Sequence, residues 1–153
     1  MIGSEVSGTS ILETSMSDTL TTTQRSYCMS QVKGRNTKPE IILRHRLWSK
    51  GFRYRLHSKN IPGKPDIVFP GKKKVIFVHG CFWHKHNCGH FSWPKSNAEF
   101  WKKKIRVNVQ RDRNNAKVII QFGWQSLVVW ECELTRGFSQ RLQKKIVQFL
   151  DNA

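Results

Sequence analysis

The densest chemistry in this 153-residue chain is the run His79-Gly80-Cys81-Phe82-Trp83-His84-Lys85-His86-Asn87-Cys88-Gly89-His90. Thiolates and imidazoles are the ligands zinc prefers, four in a tetrahedron. Cys81, His86 and Cys88 could wrap one ion, and Cys132, just past a later strand, could reach back as the fourth ligand. The spacing is not that of a zinc finger or ribbon, so a His-rich surface loop with buried free thiols is the competing reading. A closed four-ligand set leaves no open position, which would make the ion structural. Such a site can supply on the order of 10 kcal/mol of folding free energy.

A second chemistry rests on rare acids. All 27 Lys and Arg and only seven of the ten Asp and Glu lie in residues 24–153, a net charge of +20 there against +17 for the whole chain. Asp66 is one of those seven, at the start of a short strand after Pro65 and near the His-rich run. A carboxylate at such a place can hold Mg²⁺ beside a phosphodiester. Pro-Asp is also a common turn dipeptide, so the weight comes from the surroundings. Glu40 is another of the seven, and completing a helix cap is its simpler reading. His79 and His84 are candidate proton carriers because imidazole titrates near neutrality.

The charge calls for a polyanionic partner, either nucleic acid or an anionic membrane surface, and aromatic residues stand among the basic ones. Phe82-Trp83 and Phe100-Trp101-Lys102-Lys103-Lys104 could wedge between base pairs. Core packing is the competing reading, and the better one for Trp48 and Trp130. Arg106, Arg111 and Arg113, with Lys72-Lys73-Lys74, would contact phosphates. An acidic or neutral metabolic enzyme is the class this balance excludes. No apolar run is long enough for a membrane helix, and a membrane-surface role fits poorly with basic residues interleaved among strands.

These groups need elements to hold them. Residues 1–23 contain eleven Ser or Thr and no Lys or Arg, and read as a disordered tail without a secretory signal. A cytoplasmic protein follows, whose four cysteines, Cys28 included, are ligands or free thiols rather than disulfides. Thr37-Lys38-Pro39-Glu40 opens a helix closed by Gly51. Strands are expected at 52–56, 66–69 and 74–79. A helix capped by Ser96 with Glu99 should run to about Phe122, followed by a central strand at 124–130 and a last helix at 138–150. The order implies a single α/β domain over 24–153, a mixed central sheet flanked by helices.

Taken in order, several pieces resemble one family. They are Arg25-Ser26 with Cys28-Met29-Ser30, Asn36-Thr37-Lys38-Pro39-Glu40, Pro62-Gly63-Lys64-Pro65-Asp66-Ile67-Val68 and Val75-Ile76-Phe77-Val78-His79-Gly80-Cys81-Phe82-Trp83-His84. Glu99-Phe100-Trp101, Asn108 with Arg111-Asp112-Arg113, Gly123-Trp124 and Val129-Trp130-Glu131-Cys132 follow. This set resembles the very short patch repair (Vsr) DNA mismatch endonucleases over about residues 17–150, and Gly-Cys-Phe-Trp-His is its most specific part.

The resemblance implies a restriction-endonuclease-like fold with a structural zinc site. It also implies Mg²⁺-dependent hydrolysis that nicks one strand of duplex DNA 5′ to the thymine of a T·G mismatch. By position, Asp66 matches the Mg²⁺-binding aspartate, His84 the catalytic histidine, and His79 and Glu40 supporting active-site residues. Cys81, His86, Cys88 and Cys132 match the zinc ligands, and Phe82, Trp83 and Trp101 the intercalating aromatics. The segment from Arg25 through Lys33 to Arg35 matches an element lying along the minor groove, and Lys102 joins Arg106, Arg111 and Arg113 as a backbone contact. Val78 stands where relatives often carry Thr or Asp, so its metal contact would come from the main-chain carbonyl. The second carboxylate and lysine usual in restriction-type nucleases are missing, and the neighbouring histidines would replace them. A monomer acting in the cytoplasm on the bacterial nucleoid, with mismatch-repair proteins as further partners, completes the expectation. A related nuclease acting on another DNA structure and a non-catalytic zinc-containing DNA-binding module are the alternatives.

Overall fold

A computed structural model describes residues 21–31 and 34–152; most of the expected tail (1–20) and Lys33 lie outside the described residues. The chain divides into two units, Met1–Val32 and Lys33–Ala153. In the first, α1 (Thr22–Ser30) starts from a capping box: the Thr21 hydroxyl accepts from the Gln24 N–H, and the Gln24 side chain accepts from the Thr21 N–H.

The second unit runs α2 (Lys38–Ser49), β1 (Arg55–Leu56), β2 (Ile67–Phe69), β3 (Lys74–His79), α3 (Ala98–Gln121), β4 (Gln125–Trp130), α4 (Glu131–Thr135) and α5 (Gln140–Asp151). α2 begins where the sequence places it. Thr37 is the N-cap, Pro39 sits in the first turn, and the Glu40 carboxylate accepts from the Thr37 N–H and hydroxyl at 3.3 and 2.8 Å. Gly51 ends it at φ 87°, a left-handed conformation that glycine adopts without a Cβ penalty.

The sheet order is β1-β2-β3-β4, antiparallel from β1 to β3 and parallel between β3 and β4. Its two faces follow the period of two. Ile67, Phe69, Ile76 and Val129 pack on Leu43 and Leu47 of α2, Leu134 of α4, and Leu142, Ile146 and Leu150 of α5. Val68 and Val75 turn to the other side, against Ile119 of α3 and Ile61. Helices therefore cover both faces of a mixed sheet, as expected. No described helix is long and apolar enough to cross a membrane.

Five expectations are corrected. β4 is an edge strand, not the central one; it is apolar because helices cover its faces, which is independent of its place in the order. The first strand shrinks from 52–56 to Arg55–Leu56, since Phe52 and Tyr54 pack on the core outside the ladder. α3 takes Asn97, in a left-handed conformation, as its N-cap in place of Ser96, and Glu99 accepts from Lys102 at 2.8 Å. Trp48 is 57% exposed, with the Arg53 guanidinium 4.0 Å from its ring centroid, so it meets a surface cation and is not part of the core. Lys74 is only 3% exposed and unavailable to a phosphate. Its ammonium donates to the Asn152 carbonyl and faces the Phe149 ring.

Candidate active site and metal centre

The sheet brings the acids and histidines to one end. Asp66 lies just before β2, and antiparallel pairing with β3 sets its carboxylate on the Val78 N–H at 2.8 Å. Val78 is followed by His79, the last residue of β3. Burial pushes the Asp66 carboxyl up to about 6, against the Val78 hydrogen bond that favours its ionised form. Glu40 and His57 offer ligand atoms within 4.8 Å of it and of each other.

Glu40 is 3% exposed and its oxygens are fully engaged. Besides Thr37, it accepts from the Asn36 N–H at 3.1 Å and the Arg44 guanidinium at 2.7 Å. Arg44 also approaches His57 Nε2 at 3.0 Å. A guanidinium only donates, so Nε2 must accept and the proton of a neutral His57 belongs on Nδ1. Burial, then the Arg44 charge, lowers the His57 pKa.

A second group forms beside the end of β3. His84 Nδ1 meets Asp112 Oδ2 of α3 at 2.5 Å, and the His79 and His84 rings stack with centroids 3.9 Å apart. The three side chains offer ligand atoms within 4.8 Å of one another. Burial, then the neighbouring His84, pushes His79 down to about 4, so at neutral pH its ring is uncharged. The stack is thereby spared the repulsion of two imidazolium ions.

The third group is the expected metal set. Cys81, His86, Cys88 and Cys132 place one ligand atom each within 4.8 Å of the others. His86 Nδ1 stands 3.6 Å from the Cys81 sulfur and 3.4 Å from that of Cys132. A tetrahedron with metal–ligand bonds of about 2.0–2.3 Å has edges of roughly 3.3–3.8 Å, so these separations fit a soft divalent ion. Burial raises the Cys81 thiol to about 12 and also raises Cys132. Without a cation both stay protonated; an ion would take the place of those protons. Cys28, in the other unit, is an exposed free thiol.

The aromatic candidates form one cluster. Phe82 lies 5.2 Å from Trp83 and 5.3 Å from Trp101, and Trp83 lies 5.8 Å from Trp101, centroid to centroid. All three are half-buried, and Asn108 of α3 anchors the loop by donating to the Trp83 carbonyl at 3.2 Å. Lys102, Arg106, Arg111 and Arg113 are exposed along α3, and Arg35 is exposed ahead of α2. Arg25 lies within α1.

Comparison with known proteins gives the chain a family. A family model described as DNA mismatch endonuclease Vsr matches residues 17–90. The DNA mismatch endonuclease Vsr of Escherichia coli is 38% identical over 136 residues, 89% of this chain and 86% of that protein. The chain belongs to the Vsr family. Two other relatives, type II nicking enzymes of Xanthomonas oryzae and Neisseria meningitidis, are 48% and 46% identical, each over 78% of this chain and over 88% and 85% of their own lengths. A Vsr-family chain is thus a member of an endonuclease family.

Sequence reasoning missed three residues here. Asp112 stands within a quoted motif without a role, although it is one of the seven acids of the basic region. That scarcity was the signal. His57 and Arg44 carried none, because only the β1–β2 pairing brings His57 back to Asp66, where its N–H donates to the Asp66 carbonyl at 3.4 Å.

Proposed function

We propose that this protein nicks one strand of duplex DNA 5′ to the thymine of a T·G mismatch by Mg²⁺-dependent phosphodiester hydrolysis. One observation carries the reading: a half-buried carboxylate pinned to the Val78 N–H of β3 and a His–Asp pair stacked on the next residue, His79, share the end of one strand. Family membership supports it, as do relatives named mismatch endonuclease and nicking enzymes. The restriction-endonuclease-like fold, with residues 24–153 as the working domain, belongs to the same proposal.

Asp66 and the Val78 carbonyl would hold Mg²⁺, which supplies charge stabilisation on the attacking and leaving oxygens. The chain's own residues do the rest. Asp112 takes Nδ1 of His84, so Nε2 is the nitrogen left to accept a proton from water. The uncharged His79 ring holds the plane of His84. Glu40, saturated by hydrogen bonds, acts as a fixed charge behind Asp66 and not as a proton carrier. Zn²⁺ in the Cys81–His86–Cys88–Cys132 set would be structural, since no ligand position is left for substrate.

Phe82, Trp83 and Trp101 would enter the base stack beside the mismatch, and the basic α3 face with Arg25, Lys33 and Arg35 would hold the phosphates. The protein works as a cytoplasmic monomer, and mismatch-repair proteins are its candidate partners. The test is nicking of a T·G duplex with Mg²⁺, beside its T·A and C·G parents. Nicking confined to T·G supports the proposal. Equal cutting of all three indicates a nuclease for another structure, and no cutting of any duplex leaves a DNA-binding module.

A further inference from the structure

The histidine pair and the Cys/His cluster are joined by a series of rings. His84 stacks on His79 with planes 10° apart. His79 meets Trp130 edge-on, centroids 5.4 Å apart. Trp130 stacks on His86 at 4.1 Å with planes 4° apart, and His86 turns Nδ1 to the sulfurs of Cys81 and Cys132. Trp130 is therefore the ring that touches both groups among the described residues.

The backbone holds it there. Trp130 is the register partner of His79 on the last rung of the β3–β4 ladder. Its N–H donates to the Glu133 carboxylate at 2.9 Å, opening α4, which carries Cys132 in its first turn. His79 makes no side-chain hydrogen bond among the described residues, so its ring plane depends on its aromatic neighbours Phe77, His84 and Trp130. A displaced proton-transfer group loses rate steeply, and a shift of about 1 Å can cost on the order of 100-fold.

We propose that Trp130 is a positioning residue for strand nicking, transmitting the geometry of the Cys81–His86–Cys88–Cys132 cluster to the His79–His84 pair through ring contact. The inference rests on the role given to His84 above. It treats the cluster as a part of the active centre's alignment and not only as a staple for the loop.

The experiment compares Trp130→Leu, which fills space without a flat face, with Trp130→Phe, which keeps one. Each full chain is loaded with Zn²⁺ and then with the larger Cd²⁺, metal content being checked each time. Two readouts are taken: steady-state nicking of a T·G duplex, and the imidazole NMR signals of His79 and His84. Trp130→Leu is expected to lower kcat about 10- to 100-fold with KM within about threefold, and Trp130→Phe to stay within about fivefold of the parent. Exchanging Zn²⁺ for Cd²⁺ should move the His79 and His84 signals in the parent and Trp130→Phe proteins but not in Trp130→Leu. A Leu variant with parental kcat, a Phe variant as slow as Leu, or His79 and His84 signals indifferent to the exchanged metal in the parent would each overturn the proposal. If Trp130→Leu does not fold, the metal exchange in the parent and Phe proteins decides alone. A parent protein that fails to nick T·G overturns the proposed function, while the NMR arm still judges Trp130.

Discussion

His84 and Asp112 are 28 residues apart in sequence, on a loop and a helix, yet Nδ1 of one meets Oδ2 of the other at 2.5 Å. On the proposed mechanism, the contact selects Nε2 as the imidazole nitrogen left for the substrate. Asp112→Asn keeps the shape and loses the acceptor charge that holds a proton on Nδ1. By analogy with other His–Asp pairs, kcat for T·G nicking should fall roughly 10²- to 10⁴-fold with duplex affinity little changed. Single-turnover nicking beside a binding titration measures both.

Asp66→Asn should abolish nicking and leave duplex binding intact, and retained cleavage would sink the metal-ligand assignment. The same change should stabilise the protein in the absence of Mg²⁺. The folded carboxyl is pushed up from 3.8 to about 6, so its contribution to stability is fully present below pH 3.8 and is lost as pH rises to about 6. At pH 7 that loss is at most about 3 kcal/mol. Thermal melts should show the Asn variant more stable at pH 7, with the difference vanishing near pH 4.

His79 acts in the opposite sense. Its folded pKa lies near 4, below the ordinary 6.5, so the fold resists protonation and loses stability as pH falls from 6.5 to about 4. Asp66 and His79 therefore offset one another over much of the same range. The parent should show a shallow dependence of Tm on pH there, and Asp66→Asn a steeper fall towards acid.

Cys132→Ala removes one corner of the metal set. Stoichiometric zinc should be lost and the domain destabilised by several kcal/mol, or unfolded, because ion binding and folding are one equilibrium at such sites. Elemental analysis with a melting curve checks it. A zinc-free variant of normal stability would refute a structural ion.

Two surface changes separate wedge from clamp. Trp83→Ala should weaken binding to T·G duplex with the salt dependence preserved, since the lost contact is stacking. Arg106→Ala should weaken mismatched and matched duplexes alike and reduce the slope of log K against log salt by about 1. Binding isotherms at several salt concentrations distinguish the two.

Local signals made part of this readable in advance. The Thr37–Glu40 start of α2 and the bounds of β3 follow from caps and an apolar run, which are properties of neighbouring residues. Cys81, His86 and Cys88 stood out because they crowd into eight positions. What stayed hidden depends on distant partners. Strand order makes β4 an edge, the α5 terminus covers Lys74, and Arg53 occupies Trp48. His57 reaches the site only through pairing of β1 with β2.

His79 and Trp130 share the final rung of the one parallel ladder. A slip of one residue there would turn every side chain of the strand to the opposite face. It would carry Trp130 away from His79 and pull Cys132 from its cluster in the same movement. A half-folded enzyme that breaks DNA backbones is a hazard to its own genome. On the proposed mechanism the histidine pair and the Cys/His cluster both hang on a single register between strands joined by the long crossover through α3, so a misassembled chain would lose both together.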